Sequence, residues 1–583
     1  MASTYDFIIV GSGPAGCAVA AGLANAAKKP KVLLLEAGGE NDDKNLRVDG
    51  QRWVTFQNQD MNWGYKTAPQ EHCANREIDY SRGKGLGGTS AINFGVFSWG
   101  ARDDYEEWAR IVGDDAFKWE PIQARFKSLE TFHRELPPGI DPKYAAPKES
   151  DHGSSGPLQI GFAAEWEEDL PPLLDIFDKA GFPLNPDHNS GNPLGTSVLI
   201  NSAVKGVRST AKDLITPTPK NLTVVTNAPV QRVILEGKRA VGVESNGKKY
   251  FASKEVVLSA GALNTPQILM HSGIGPREQL ERFSIPVAVA QPAVGQGLRD
   301  HMFAPLVYRR RSGSTARAAF YGDPAAMEAA MAQWRRDGTG PWSKFACEVG
   351  IGWYKLPGLG ATAEFAALPP AERAFLSRPT VPHFEVATHF PIHWFMPGLP
   401  PEDLDCLCIV VFYYNAQARG QVTLQSADPD APLRFDPCLL GTPFDRRVAV
   451  DAMREVLKVT RHPDFARDTV GQIAGPAGDS EEELLEYWRQ SVSSTWHMTG
   501  TAKMGRRGDP DAVVDADFRV LGLEEGGGGL RVADMSVVPV LPSCHVQAVA
   551  YVTGMTCAEK LVSEYGLAER ETEREGGRGE YKL

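Results

Sequence analysis

The chain has 583 residues, enough for several compact units, and its 42% hydrophobic and 23% charged side chains are those of an ordinary globular protein rather than a disordered or fibrous one. Lys and Arg number 61 against 73 Asp and Glu, a formal net charge of -12, and no basic run stands ready to neutralise phosphates, so nucleic acid is excluded as a partner. No stretch approaches about 18 uninterrupted apolar residues, so no membrane span is expected, and eight scattered cysteines (Cys17, Cys73, Cys347, Cys406, Cys408, Cys438, Cys544, Cys557) without a C-x-x-C or a Cys/His cluster argue for reduced thiols and against a disulfide framework or metal site.

The first residues, MASTYDFIIVGSG, contain no basic n-region and no apolar h-region with a cleavage site, which argues against secretion and for a cytoplasmic protein. Residues 5–10 (YDFIIV) read as a strand, GSGPAG at 11–16 as a glycine turn and CAVAAGLANAA as a small-residue helix. KVLLLEAGG at 31–39 is a second buried strand that ends at Glu36, so the unit is a βαβ. Gly11, Gly13 and Gly16 have the dinucleotide spacing: a tight turn, a close backbone approach to a pyrophosphate, and close helix packing. Glu36, twenty residues after Gly16, is placed to accept from a ribose 2′-OH, and disfavours a 2′-phosphate there.

Residues 81–108 (SRGKGLGGTSAINFGVFSWGARDDYEEW) form a loop with Gly83, Gly85, Gly87 and Gly88, then Thr89, Ser90 and Asn93, which offers many backbone N–H groups to a flat or anionic ligand. KEVVLSAGALNTPQILMHSGIGP at 254–276 repeats the strand, turn and helix grammar, which implies a parallel sheet flanked by helices. Between 300 and 490, TVPHFEVATHF, LCIVVFYY and RGQVTLQS read as strands of an antiparallel sheet, and RRVAVDAMREVLKVTRH at 446–462 reads as an amphipathic helix. Loops are expected at 134–156 and 311–325. FPIHWF at 390–395 reads either as an aromatic gate or as a core cluster. The C-terminal EYKL ends in Lys-Leu but has Tyr581 where a peroxisomal signal takes a small residue, which leaves the peroxisome as the lesser alternative.

The 81–108 run resembles the first signature of the glucose-methanol-choline (GMC) oxidoreductases, and GALNTPQILMHSGIGP at 261–276 resembles their second. VGQGLRDH at 294–301 resembles a further family segment, with Gly297 where Asn is usual, and the likeness runs from about residue 5 to 567. The resemblance implies an α/β fold: a Rossmann-like FAD-binding domain with a parallel sheet, from 1–155, 201–300 and 491–568, and an α+β substrate domain with an antiparallel sheet, from 156–200 and 301–490. A charged tail at 569–583 is expected to be disordered. The resemblance also implies FAD held by Gly11, Gly13, Gly16, Glu36, Gly87, Gly88, Thr89 and Asn93. Ile92 replaces the His of histidyl-linked members, so the FAD is expected to be non-covalent. Val230 matches the position whose backbone meets adenine, or is a plain strand residue. Asp534 holds the ribityl and pyrophosphate end through its backbone, or is a helix N-cap.

In TWHMTGTAKMG at 495–505 and the segment 529–561, His497 and His545 correspond to the family's catalytic base and its partner. The chemistry asks for such a pair. An alcohol gives up hydride once its proton leaves, and a neutral imidazole takes that proton while a second group shares the developing alkoxide charge. The α-hydride then passes to flavin N5, with O2 or a quinone as electron acceptor. Trp496 either shapes the pocket or packs on its loop. Two other readings compete. PHFE at 382–385 and QSADP at 425–429 resemble formate oxidase, but that branch uses Arg where His545 stands. Non-redox relatives keep FAD as a scaffold for lyase or cyclase chemistry.

Overall fold

Apolar runs covered on both faces pair as parallel strands in this computed structural model, which describes residues 4–163, 165–311, 320, 323–343, 350–390, 405–524 and 528–568. The 569–583 tail, residues 391–395 of FPIHWF and most of the 311–325 loop lie outside the described residues. Thr4–Val10 pairs with Val32–Leu35 on one side, from Phe7 opposite Val32 to Val10 opposite Leu35. On the other side it pairs with Lys248–Leu258, ending with Val10 opposite Leu258. Leu222–Val225 and Leu530–Val532 extend the parallel set, and Arg239–Ser245 with Val230–Glu236 adds an antiparallel edge. Because these strand ends are in register, the loops after Val10, Leu35, Leu258 and Val532 open on one crevice, where open α/β sheets bind ligands.

Helix Pro14–Asn25 follows the first glycine turn, and Gln547–Glu564 lies against it. The approach requires small residues: a Cβ on Gly554 would stand 2.2 Å from Ala15 O, and one on Gly22 would stand 2.6 Å from Ala558 Cβ. This packing carries residues 545–547, at the start of the C-terminal helix, to the crevice.

A second sheet is antiparallel throughout, in the order Thr469–Ala474, Met302–Arg310, Cys406–Tyr413, Phe384–Thr388, Gly350–Tyr354 and Gly195–Val198. Its central strand Cys406–Tyr413 is buried along its whole length, with period-two side chains serving two cores. Leu407, Ile409, Val411 and Tyr413 pack with the helix Pro443–Thr460, while Cys408, Val410, Phe412 and Tyr414 pack with Phe303 and Trp353 on the crevice side. RGQVTLQS departs from its expected place. Gly420–Thr423 joins Gln296–Leu298 and Arg434–Asp436 in a separate three-stranded sheet, because its partners are short loop strands and not the central strand. Among the described residues no helix is long and apolar enough to cross a membrane.

One buried charge cluster lies beside Trp99 of the 81–108 run. His152 stacks on Phe132, with ring centroids 3.9 Å apart, and lies 5.2 Å from Trp99. Its Nδ1 meets Glu130 Oε1 at 2.9 Å and its Nε2 meets Asp187 Oδ2 at 3.3 Å. Burial opposes charge on the ring, but the hydrogen bonds and the fields of Asp187 and Glu130 outweigh it and push the imidazole from 6.5 up to about 9. The folded value lies above the unfolded one, so the stabilisation is fully present below about pH 6.5 and is lost as pH rises through about 9. Denaturant unfolding should therefore show the advantage of wild type over His152→Gln falling by roughly 3 kcal/mol between about pH 6 and about pH 10. A difference independent of pH would contradict the charged cluster.

Candidate active site

Three loops build one cradle. Gly11 turns at φ +96°, and a Cβ there would stand 2.5 Å from Ser259 O. Gly16 packs so closely behind it that a Cβ would lie 1.9 Å from Gly11 O. Gly13 caps the N-terminus of Pro14–Asn25, and a Cβ on it would meet nothing within 4 Å, so the space before the helix dipole is open. Gly88 of the second loop presses on this turn, where a Cβ would come within 2.6 Å of Gly13 Cα.

Glu36 binds the loops together. Its Oε2 accepts from Ser12 N at 2.9 Å and Ser12 Oγ at 2.7 Å, and its Oε1 accepts from Gly38 N at 2.8 Å and Gly85 N at 2.9 Å. Four donors fill the acceptor capacity of a carboxylate. Asp534 caps the turn Met535–Val537 through Ser536 N and also accepts from Gly261 N at 2.8 Å and Thr265 Oγ1 at 2.6 Å, so its side chain orders two element starts. Burial pushes its carboxyl up against those bonds.

The crevice is a cavity of about 490 Å³. Gly11, Gly13, Glu36, Gly88, Thr89, Asn93, Val230 and Asp534 line it, as do His497 and His545. Gly16 and Gly87 do not: Gly16 lies behind Gly11, and Gly87 turns the second loop at φ +93°. Thr89 Oγ1 accepts from Gly83 N at 3.1 Å, which closes that loop. Val230 sits half-buried at the head of its strand.

At one end the walls are aromatic: Phe56, Phe94, Phe303, Phe390, Phe412 and Trp496. Trp496 lies at φ +60°, a strained conformation for a bulky residue that clusters at functional sites, and packs 5.0 Å from Phe56. The turn delivers His497, whose N–H donates to Asp300 Oδ1 at 2.8 Å. The His497 and His545 ring centroids are 4.7 Å apart at 77°. Burial, then the neighbouring His545, His301 and Arg82, push the His497 imidazole well below its ordinary range, so it is neutral. Asp300 is pushed by burial up to about 6, opposed by the bonds from Ser494 and the His497 amide.

Three residues without an assigned role in the sequence complete this end. His301 Nδ1 lies 3.0 Å from His497 Nδ1. His545 Nε2 lies 2.9 Å from Glu385 Oε1, and the Tyr414 hydroxyl donates to Glu385 Oε2. The His301 and Tyr414 ring centroids lie 3.9 Å apart at 33°, and His301 Nε2 is buried without a partner among the described residues. VGQGLRDH carries His301, PHFE carries Glu385 and LCIVVFYY carries Tyr414, but only the assembled strands show what they face. Among the described residues, no group of three or more His, Cys, Asp or Glu side chains is placed to hold a metal ion, and seven cysteines are free thiols.

Residues 5–303 match the N-terminal and 416–554 the C-terminal family model of GMC oxidoreductases. The chain is 31% identical over 595 residues to the glucose methanol choline oxidoreductase atC of Aspergillus terreus, covering 96% of this chain and 93% of that protein. A formate oxidase structure from Aspergillus oryzae superposes with TM-score 0.86 at 27% identity, covering 97% of this chain and 99% of the other. A fungal aryl-alcohol oxidase superposes with TM-score 0.82 at 25% identity, over 96% and 99%. With family models spanning both ends of the chain and relatives matched along nearly all of it, the protein belongs to the GMC oxidoreductases and is an FAD-dependent oxidoreductase.

Proposed function

We propose that the protein oxidises the CH–OH group of a small apolar alcohol, with FAD held non-covalently and with O2 or a quinone as the final electron acceptor. The observation that carries this reading is the pair of imidazoles, His497 and His545, 4.7 Å apart at the aromatic end of the cavity. The cavity suits the cofactor. Gly13 leaves open space before a helix N-terminus for a pyrophosphate, and Gln547 Nε2 is a buried donor without a partner among the described residues. Gly11 and Gly13 would hold the pyrophosphate, the Val230 backbone the adenine, the Asp534 backbone the ribityl and pyrophosphate end, and Gly88, Thr89 and Asn93 the ring, while Glu36, its carboxylate already filled by protein donors, would shape the ribose end by tying the loops together. Ile92, buried and apolar, offers no side chain for a covalent link, which supports a dissociable cofactor. Bound FAD supplies the two-electron acceptor.

His497 does the proton work. For its Nε2 to act as a base, its Nδ1 must carry the proton and donate to His301 Nδ1, which places the His301 proton on Nε2. His545 donates its Nε2 proton to Glu385 Oε1, which fixes its ring as the second polar wall against which the hydroxyl is oriented. The aromatic walls exclude water and favour a neutral apolar substituent, because the carboxylates at this end are engaged within the protein: Glu385 by His545 and Tyr414, Asp300 by Ser494 and the His497 amide, and Asp79 by the Trp496 indole. Formate would need a bidentate cation where His545 offers an imidazole.

Anaerobic mixing with a panel of alcohols should bleach the oxidised flavin band, most rapidly with apolar ones. Product formed without bleaching, or bleaching by formate alone, would contradict the reading. His497→Ala should retain FAD yet slow that reduction by about a hundredfold to ten-thousandfold, and reduction near the wild-type rate would overturn its role. Gly13→Val should lose FAD through gel filtration while keeping wild-type circular dichroism, since the added side chain enters ligand space. Full flavin stoichiometry in that variant would refute the phosphate cradle.

A further inference from the structure

Two arginines lie buried behind the cavity wall, and they force the orientation of the side chains in front of them. Arg52 is fully buried and pairs with Asp49 at 2.5 Å. Arg208, 1% exposed, has no ion-pair partner among the described residues, and its guanidinium instead meets Ser90 O at 2.8 Å and Thr55 Oγ1 at 3.0 Å. Burying an unpaired cation is costly, so its retention calls for a reason. Both guanidiniums converge on Asn93. Arg52 Nη1 lies 3.1 Å from its Oδ1 and 3.1 Å from its backbone O, and Arg208 Nη2 lies 3.2 Å and 2.8 Å from the same two atoms.

A guanidinium only donates, so the Asn93 amide is fixed with Oδ1 toward the arginines and Nδ2 away from them. Asn93 Nδ2 donates to Gln547 Oε1, which fixes the second amide in turn. The Gln547 Nε2 group, with two protons to donate, remains. It is buried, has no partner among the described residues, and belongs to a residue 8% exposed that lines the cavity two positions from His545. Such an orphan donor calls for an acceptor that the ligand brings. Charged donors on Asn93 Oδ1 also polarise the chain of amides and strengthen the terminal N–H as a donor.

We propose that Arg52, Arg208 and Asn93 are positioning residues that present Gln547 Nε2 to a carbonyl oxygen of the flavin ring, and that this donor raises the flavin's reduction potential. The proposal rests on FAD occupying the cavity. Reduction places negative charge on the carbonyl-bearing ring, and a donor backed by buried positive charge favours that form over the neutral oxidised one.

The test is the two-electron midpoint potential of the purified holoenzyme, measured by equilibration with a reference dye, together with FAD affinity. Gln547→Met, close in volume but without a donor, should still bind FAD, with a reduction equilibrium at least tenfold less favourable, about 30 mV lower. Arg208→Lys keeps the charge but loses the fork, so it should lower the potential by less, and should add nothing in the Gln547→Met background, where the relay has no end. A wild-type potential and FAD affinity in Gln547→Met would overturn the proposal while leaving the FAD reading intact. So would an Arg208→Lys shift that persists in full in the double variant. A wild-type protein that retains no flavin would overturn both.

Discussion

The arrangement depends on keeping one imidazole dry and neutral where two sheets meet. His497 belongs to neither sheet. It rides on a turn strained at Trp496, is held by its amide to Asp300, and has one ring nitrogen engaged by His301. Burial alone disfavours a charged ring, and the nearby imidazoles and Arg82 add to that effect. A base that must take a proton from a neutral alcohol needs this state, and the fold provides it by closing the antiparallel sheet over the mouth of the parallel one.

The division of labour follows from strand geometry. The parallel sheet aligns its strand ends, so loops of small residues converge on a single crevice and Glu36 can tie three of them together with four hydrogen bonds. The antiparallel sheet contributes alternation. One face of Cys406–Tyr413 packs on the helix Pro443–Thr460, and the other sends Val410 and Phe412 to the cavity, with Tyr414 just beyond the strand placed beside His301 and Glu385. Close packing of Gly554 on Ala15 then carries His545 and Gln547 into the space between the two sheets.

Much of this was legible in the chain itself, and the line between what was and what was not is physical. The glycine turn, Glu36 at its strand end and the βαβ unit are local, so spacing alone places them, and the signature loop with Asn93 carries its resemblance in consecutive residues. His301 against His497 joins positions 196 apart, Glu385 against His545 joins positions 160 apart, and Arg208 against Asn93 joins positions 115 apart. No periodicity encodes such meetings, which arise only when strands from different sheets are stacked. RGQVTLQS shows the same limit: its alternation says strand, and it forms one in an antiparallel sheet, but which neighbours it selects is set elsewhere. Glu36 and Asp534 show a subtler gap, since a motif names a residue that faces the ligand without revealing that its oxygens are already bonded within the protein.

The most direct test of the neutral His497 is the limiting rate of anaerobic flavin reduction by a saturating apolar alcohol, followed from about pH 8 down to about pH 5. The competent form is the unprotonated one and its folded pKa is depressed, so competence is retained as pH falls below the ordinary histidine value of about 6.5 and is lost only through the lower value. The account predicts a rate that stays level through pH 6.5. A rate that falls with an apparent pKa at or above 6.5 would contradict it.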